Sequence, residues 1–143
     1  SDVPESEEGE RMAKMVADAI NVGPTIMCGR ARGHSSFTDV PQEKGGTDTA
    51  MLPPEMLCAA LANCIGMVIA LTCREEGIEC AGMTVDVEAE PNEEQARLER
   101  FTVVVRMPCA LSDEQRVKVE EAAKQSKVRG TVAAGTGLSL TIE

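Results

Sequence analysis

Between Met56 and Cys73 the chain runs 18 residues without a charge, and no other stretch limits the fold as strongly. Pro53 stands where a first helical turn tolerates proline, because the amide there has no intrahelical acceptor to lose. Gly77 is placed to end the helix in the left-handed conformation that glycine adopts most easily. The length alone would permit a membrane span. However, Asn63, Gly66, Thr72, three Cys and several Ala dilute the hydrophobicity, and Glu55, Glu75 and Glu76 flank the run without a basic excess. A helix apolar on every side in a soluble protein must be covered on every side. One sheet covers one face, so the other face needs a second copy of the chain. Burial therefore leads us to expect a homodimer and no membrane partner.

The rest of the sequence fits around this helix. A chain of 143 residues suits one domain rather than two, read here as a single domain over 1–143 with residues 1–23 a helical extension. Met12, Val16 and Ile20, at four-residue spacing, predict a helix over 6 to 21 that Gly23-Pro24 ends. Residues 25 to 40 read as two short strands with a turn at Gly33, and residues 41 to 52 as a loop. Residues 82 to 89 and 96 to 107 alternate apolar and polar, and PNEEQ between them is turn-like, which predicts a hairpin with one wet face. Ser112-Asp-Glu-Gln115 is a capping box. The helix it opens is expected to run to about Lys127, with Val117 and Ala122 facing inward. A last strand is expected over 131 to 142. The fold class is α+β.

Composition narrows the partners. With two Phe and no Trp or Tyr, the core relies on aliphatic residues and on eight Met. Met fills irregular gaps and would also suit a groove for a flexible apolar ligand. The net charge of −10, with no Lys/Arg cluster to offset it, repels phosphate backbones, so no nucleic acid partner is expected.

Six cysteines carry the remaining chemistry: Cys28, Cys58, Cys64, Cys73, Cys80 and Cys109. None forms a close CxxC pair and His34 is the only His, so the usual zinc spacings are absent and no metal or cofactor is expected. The acidic opening residues lack the basic-then-apolar order of a signal peptide. Reduced thiols in a cytoplasmic protein follow as the default. Along the helix, Cys58 and Cys64 are separated by roughly 9 Å of rise and Cys64 and Cys73 by roughly 13.5 Å, too far for bridges between them. An apolar surround would raise the Cys64 thiol, and only a nearby cation would favour thiolate. Arg30 and Arg32 in GRARGH, and Lys127 and Arg129 in SKVRG, are the cations on offer. Cys58, Cys73, Cys80 and Cys109 read as packing, and His34 as a surface or turn residue.

The stretch GGTDTAMLPPEMLCAALANC, residues 45 to 64, resembles the OsmC/Ohr family pattern of a Gly-Gly loop, a Pro-x-Glu-Leu-like turn and Ala-Ala-Leu-x-x-Cys on a central helix. The similarity continues through REEGIECAGMTVDVEAEP and MPCALSDEQRVKVEEAAKQSKVRGTV, and so covers roughly residues 25 to 142. The resemblance implies an OsmC-like intertwined homodimer with antiparallel sheets and long central helices. It also implies that Cys64 is a peroxidatic thiol that attacks a hydroperoxide and becomes a sulfenic acid. The family's second cysteine falls at Ser126, so the usual intramolecular disulfide step is closed and an external thiol or dithiol reductant is implied. Glu55 lies one residue from the family's carboxylate position, and Arg30 or Arg32 would supply its arginine. The implied activity is a cysteine-based hydroperoxide reductase. The alternative is a non-redox protein that binds an apolar small molecule on the same scaffold.

Overall fold

In the computed structural model, which describes residues 14–143, Arg32 and Gly33 take positive φ of 50° and 81°. Two such residues in succession make a tight turn whose twist matches paired strands. Across it β2 (Met27–Ala31) and β3 (His34–Thr38) pair antiparallel, so the turn expected at Gly33 is present. On the other side of β2 lies β1 (Asp18–Asn21), giving the order β1-β2-β3. This corrects the helical extension read over 6 to 21. Residues up to 13 lie outside the described part, and residues 18 to 21 are strand. Spacing of apolar residues suggested a helix, but Ile20 sits opposite Cys28, and tertiary pairing overrides so short a pattern.

A single carboxylate organises the loop after β3. Asp39 is 1% exposed. It accepts from the hydroxyls of Thr25 and Thr47 at 2.6 Å each, from the Thr49 hydroxyl at 3.0 Å, and from the amides of Val40, Thr47 and Thr49. The Thr25 hydroxyl foremost, then Thr47, holds the carboxyl well below the usual carboxylate range. Gly46 closes the same loop. A Cβ there would lie 2.0 Å from the carbonyl oxygen of Val40, so a side chain has no room. These elements form one compact unit ending at Pro53.

The second unit, Pro54–Glu143, is built on the long helix α1 (Pro53–Glu76). Leu61, Ile65, Ile69 and Cys73 recur at four-residue spacing and form its buried stripe. They pack with Ile78, Val119 and Ala122, and against the hairpin of β4 (Thr84–Asn92) and β5 (Arg97–Arg106). Val85, Val87, Phe101, Val103 and Val105 make the inner face of that hairpin. Its outer face carries the ion pairs Arg106–Asp86 and Arg100–Glu90, which is the wet face expected from the alternation. Gly77, at φ 68°, ends α1, and the Ile78 amide donates to the Cys73 carbonyl at 2.9 Å.

Helix α2 (Asp113–Ala123) opens on the capping box as read. The Gln115 amide donates to Ser112 Oγ at 3.1 Å, and the Ser112 amide to the Gln115 side chain at 2.9 Å. Ala122 faces inward, but Val117 is 58% exposed and Val119 takes the buried position. The inward row runs through Val119 and Ala122 at helical spacing, which puts Val117 on the far side. Helix α2 also stops before Lys127. Ser126 begins a separate helix, α3 (Lys127–Ala134), by accepting from the Arg129 amide at 3.1 Å. The strand expected over 131 to 142 is therefore not formed. Its first residues are helical, and Leu138, Leu140 and Ile142 are at least 80% exposed without a paired strand among the described residues. Alternation marks a strand only where an edge is on offer to pair with.

Candidate functional site

Helix α1 holds Cys64 beside its buried stripe, between Leu61 and Ile65, half-buried. Helix α3 brings its N-terminus to this sulfur. The first amides of a helix have no intrahelical acceptor, and the positive end of the helix dipole lies with them. Here Ser126 and the backbone of Lys127 and Val128 lie close enough to the Cys64 sulfur to favour its thiolate. Ser126 is 2% exposed. Its oxygen already accepts from the Arg129 amide, so its own proton is available to the sulfur. Burial is the largest single influence on Cys64 and pushes the thiol up. Ser126, the two amides and the Lys127 charge together outweigh it, and the thiol is held below its ordinary value. A thiolate at this point is a nucleophile whose charge is met by fixed donors.

A pocket of about 520 Å³ opens among the neighbours of Cys64, which is not itself in the lining. Leu61 and Ile65 of α1, Phe101, Val103 and Val105 of β5, and Arg129 of α3 line it, and Arg129 is the one charged group in that lining. Such a cavity suits an apolar group of modest size.

The structure brings together some of the residues singled out in the sequence. Ser126 and Lys127 both lie near enough to Cys64 to act on its thiol. Glu55 stands in the first turn of α1, about 13.5 Å of helical rise from Cys64. Arg30 and Arg32 belong to the first unit, where Arg30 pairs with Asp18 at 2.8 Å and Arg32 occupies the β2–β3 turn. His34 is exposed at the start of β3. Cys73 is core as expected, whereas Cys109, read as packing, is exposed. Among the described residues no group of three or more His, Cys, Asp or Glu side chains is arranged to hold a metal ion.

The amides of Lys127 and Val128 were missed in the sequence. The signal was present in Ser126, a good N-cap residue, but the preceding helix was read straight through it.

Comparison with known proteins bears on the whole second unit and beyond. The sequence model of OsmC-like protein matches residues 46–142. Among solved structures, the chain is similar to one from Psychrobacter arcticus 273-4, described as an osmotic stress induced and detoxification response protein. The TM-score is 0.73 and the identity 19%, over 85% of this chain and 90% of that one. An OsmC like protein from Mycoplasma pneumoniae matches with a TM-score of 0.72 at 13% identity, over 86% of this chain and 89% of that one. The organic hydroperoxide resistance protein OhrB of Bacillus subtilis matches at 0.56 and 16%, over 85% and 93%. At these identities the likeness is one of fold. No curated protein matches the chain in sequence.

Proposed function

Because the chain belongs to the OsmC-like family, we propose that it is a thiol-dependent hydroperoxide reductase in which Cys64 works as the lone peroxidatic cysteine. The observation that carries this reading is the approach of the α3 N-terminus, with Ser126, Lys127 and Val128, to Cys64, which favours the thiolate. The thiolate attacks the outer oxygen of R–O–O–H, the O–O bond breaks, and the alkoxide leaves as the alcohol after taking a proton from solvent. Cys64 becomes a sulfenic acid. An external thiol then attacks its sulfur and releases water, and a second thiol frees Cys64 as thiolate and leaves as the disulfide. The sum is ROOH + 2 R′SH → ROH + H₂O + R′SSR′. With Ser126 in place of a second cysteine, both electrons come from outside, as in a reducing cytoplasm.

The same proposal includes a homodimer. Leu57, Met67 and Leu71 leave one face of α1 apolar and 44–57% exposed, and a second copy would cover it. Turnover of cumene or tert-butyl hydroperoxide with a dithiol tests the activity. Turnover is expected in the natural protein and none in Cys64→Ser; no turnover in either would remove the reading.

One observation favours a second reading. Ser126 stands where a thiol would complete the cycle, next to an apolar pocket, which suits a protein that binds an apolar small molecule without redox chemistry. Native mass spectrometry with added apolar ligands distinguishes the two, since this reading requires retained ligand in Cys64→Ser.

A further inference from the structure

Three cysteines unused by the Cys64 chemistry gather at the C-terminal end of α1. Cys73 closes the buried stripe, Cys80 lies in the link from α1 to β4, and Cys109 follows β5. The link is held in place. The Ile78 amide donates to the Cys73 carbonyl, the Met83 amide to the Cys80 carbonyl, and the Ala81 amide to the Glu79 carboxylate, each at 2.9 Å. On this frame Cys80 and Cys109 both lie near Cys73, and after burial they add to the rise of its thiol. The Cys109 thiol donates to the carbonyl oxygen of Glu79, the residue before Cys80, at 3.5 Å. A carbonyl oxygen lies close to the next Cα, which places the Cys109 sulfur within about 6 Å of the Cys80 Cα. The two thiols thus share one stretch of backbone, and a bridge between them needs their Cα atoms within about 7 Å.

Exposure grades outward across the cluster. Cys73 is 0% exposed, Cys80 is half-buried and Cys109 is open to solvent. Among the described residues no group of three or more His, Cys, Asp or Glu side chains, these thiols included, is arranged to hold a metal ion. We propose that Cys80 and Cys109 form a reversible dithiol–disulfide pair, a second redox site apart from Cys64 that exchanges electrons with low-molecular-weight disulfides. Cys109 is the entry point. Its thiolate attacks one sulfur of R–S–S–R, the S–S bond breaks, and the first RS⁻ leaves and takes up a proton. Cys80, as thiolate, then attacks the Cys109 sulfur of the mixed disulfide and expels the second RSH. Two electrons pass from the protein dithiol to the small disulfide, which departs as two thiols. Cys73 stays outside the exchange, because burial, with Cys80 and Cys109 beside it, pushes its thiol up and it keeps its proton. The bridge would tie the α1–β4 link to the β5–α2 link at one end of the hairpin.

The full chain, natural and Cys64→Ser, is equilibrated in mixtures of glutathione and glutathione disulfide, acid-quenched, alkylated and digested with trypsin. Cleavage separates the three thiols usefully: Cys80 lies in peptide 75–97, Cys109 in 107–116 and Cys73 in 45–74. The expected result is peptide 75–97 linked to 107–116 in most molecules of both proteins, released by excess dithiothreitol. Cys80→Ala should leave Cys109 as a mixed disulfide with glutathione, and Cys109→Ala should leave Cys80 reduced. The proposal is overturned if Cys80 and Cys109 stay free in mixtures that oxidise the denatured chain. It is equally overturned by a bridge from Cys80 to Cys73, by a bridge between Cys109 residues of two molecules, or by a link that forms only when Cys64 is present.

Discussion

Cys64 and Cys73 lie on one helix, and burial pushes both thiols up, yet they end on opposite sides of their ordinary value. What differs is the company each keeps. Cys64 meets the N-terminus of α3, with two free amides, a hydroxyl and a lysine. Cys73 meets other sulfurs and the aliphatic core, where nothing stabilises a negative charge. The lesson is that helix position alone does not make a cysteine reactive; an element from elsewhere in the chain must deliver donors to it.

The comparison can be broken most severely by exchange of the sulfurs themselves. Cys64→Ser should reduce hydroperoxide turnover to the uncatalysed level, measured with a coupled thiol-consumption assay. Cys73→Ser should leave turnover within about two-fold while costing about 1–3 kcal/mol of stability, read by denaturant unfolding, because it buries a hydroxyl in an apolar core. Equal loss of activity in both would erase the distinction.

Ser126 comes next. Ser126→Ala removes a hydrogen bond to a charged group, for which a loss of about ten-fold in the rate of Cys64 oxidation is expected. The same change should cost about 1 kcal/mol of stability through the lost helix cap. Ser126→Cys sharpens the point from the other side. A sulfur placed on Cys64's hydrogen-bond partner should form an intramolecular disulfide on oxidation and make an external resolving thiol unnecessary, seen as a mass loss of two hydrogens. The smallest effect is expected from Lys127→Gln. Its exposed charge is screened by salt, so a fall of about two- to three-fold at low ionic strength should vanish in molar salt.

Much of this frame could be read in the sequence, because its signals are local. The uncharged run, Gly77, the Gly33 turn, the alternating hairpin and the Ser112 capping box each fix their structure within a few residues. The misreadings share the opposite property. Residues 18 to 21 are a strand because β2 pairs with them, and the Leu138, Leu140, Ile142 alternation makes no strand because nothing described here pairs with it. The site was half legible. Cys64 stood out by resemblance, and Ser126 by departing from it. That the two lie together, and that the α3 N-terminus comes to Cys64 with Ser126, depends on a break between α2 and α3 that a continuous helical reading concealed.

The central claim is that the α3 N-terminus holds Cys64 as a thiolate, and the pH dependence of alkylation at each cysteine tests it most directly. Reactivity tracks the thiolate, so it is lost as pH falls through the thiol's pKa. The folded protein should show Cys64 labelling with a midpoint below about 8.5 and below that of the denatured chain, with Cys73 labelled only above it, the fragment spectra of peptide 45–74 resolving the two. A Cys64 midpoint at or above the denatured value, or one unmoved in Ser126→Ala, would contradict the account.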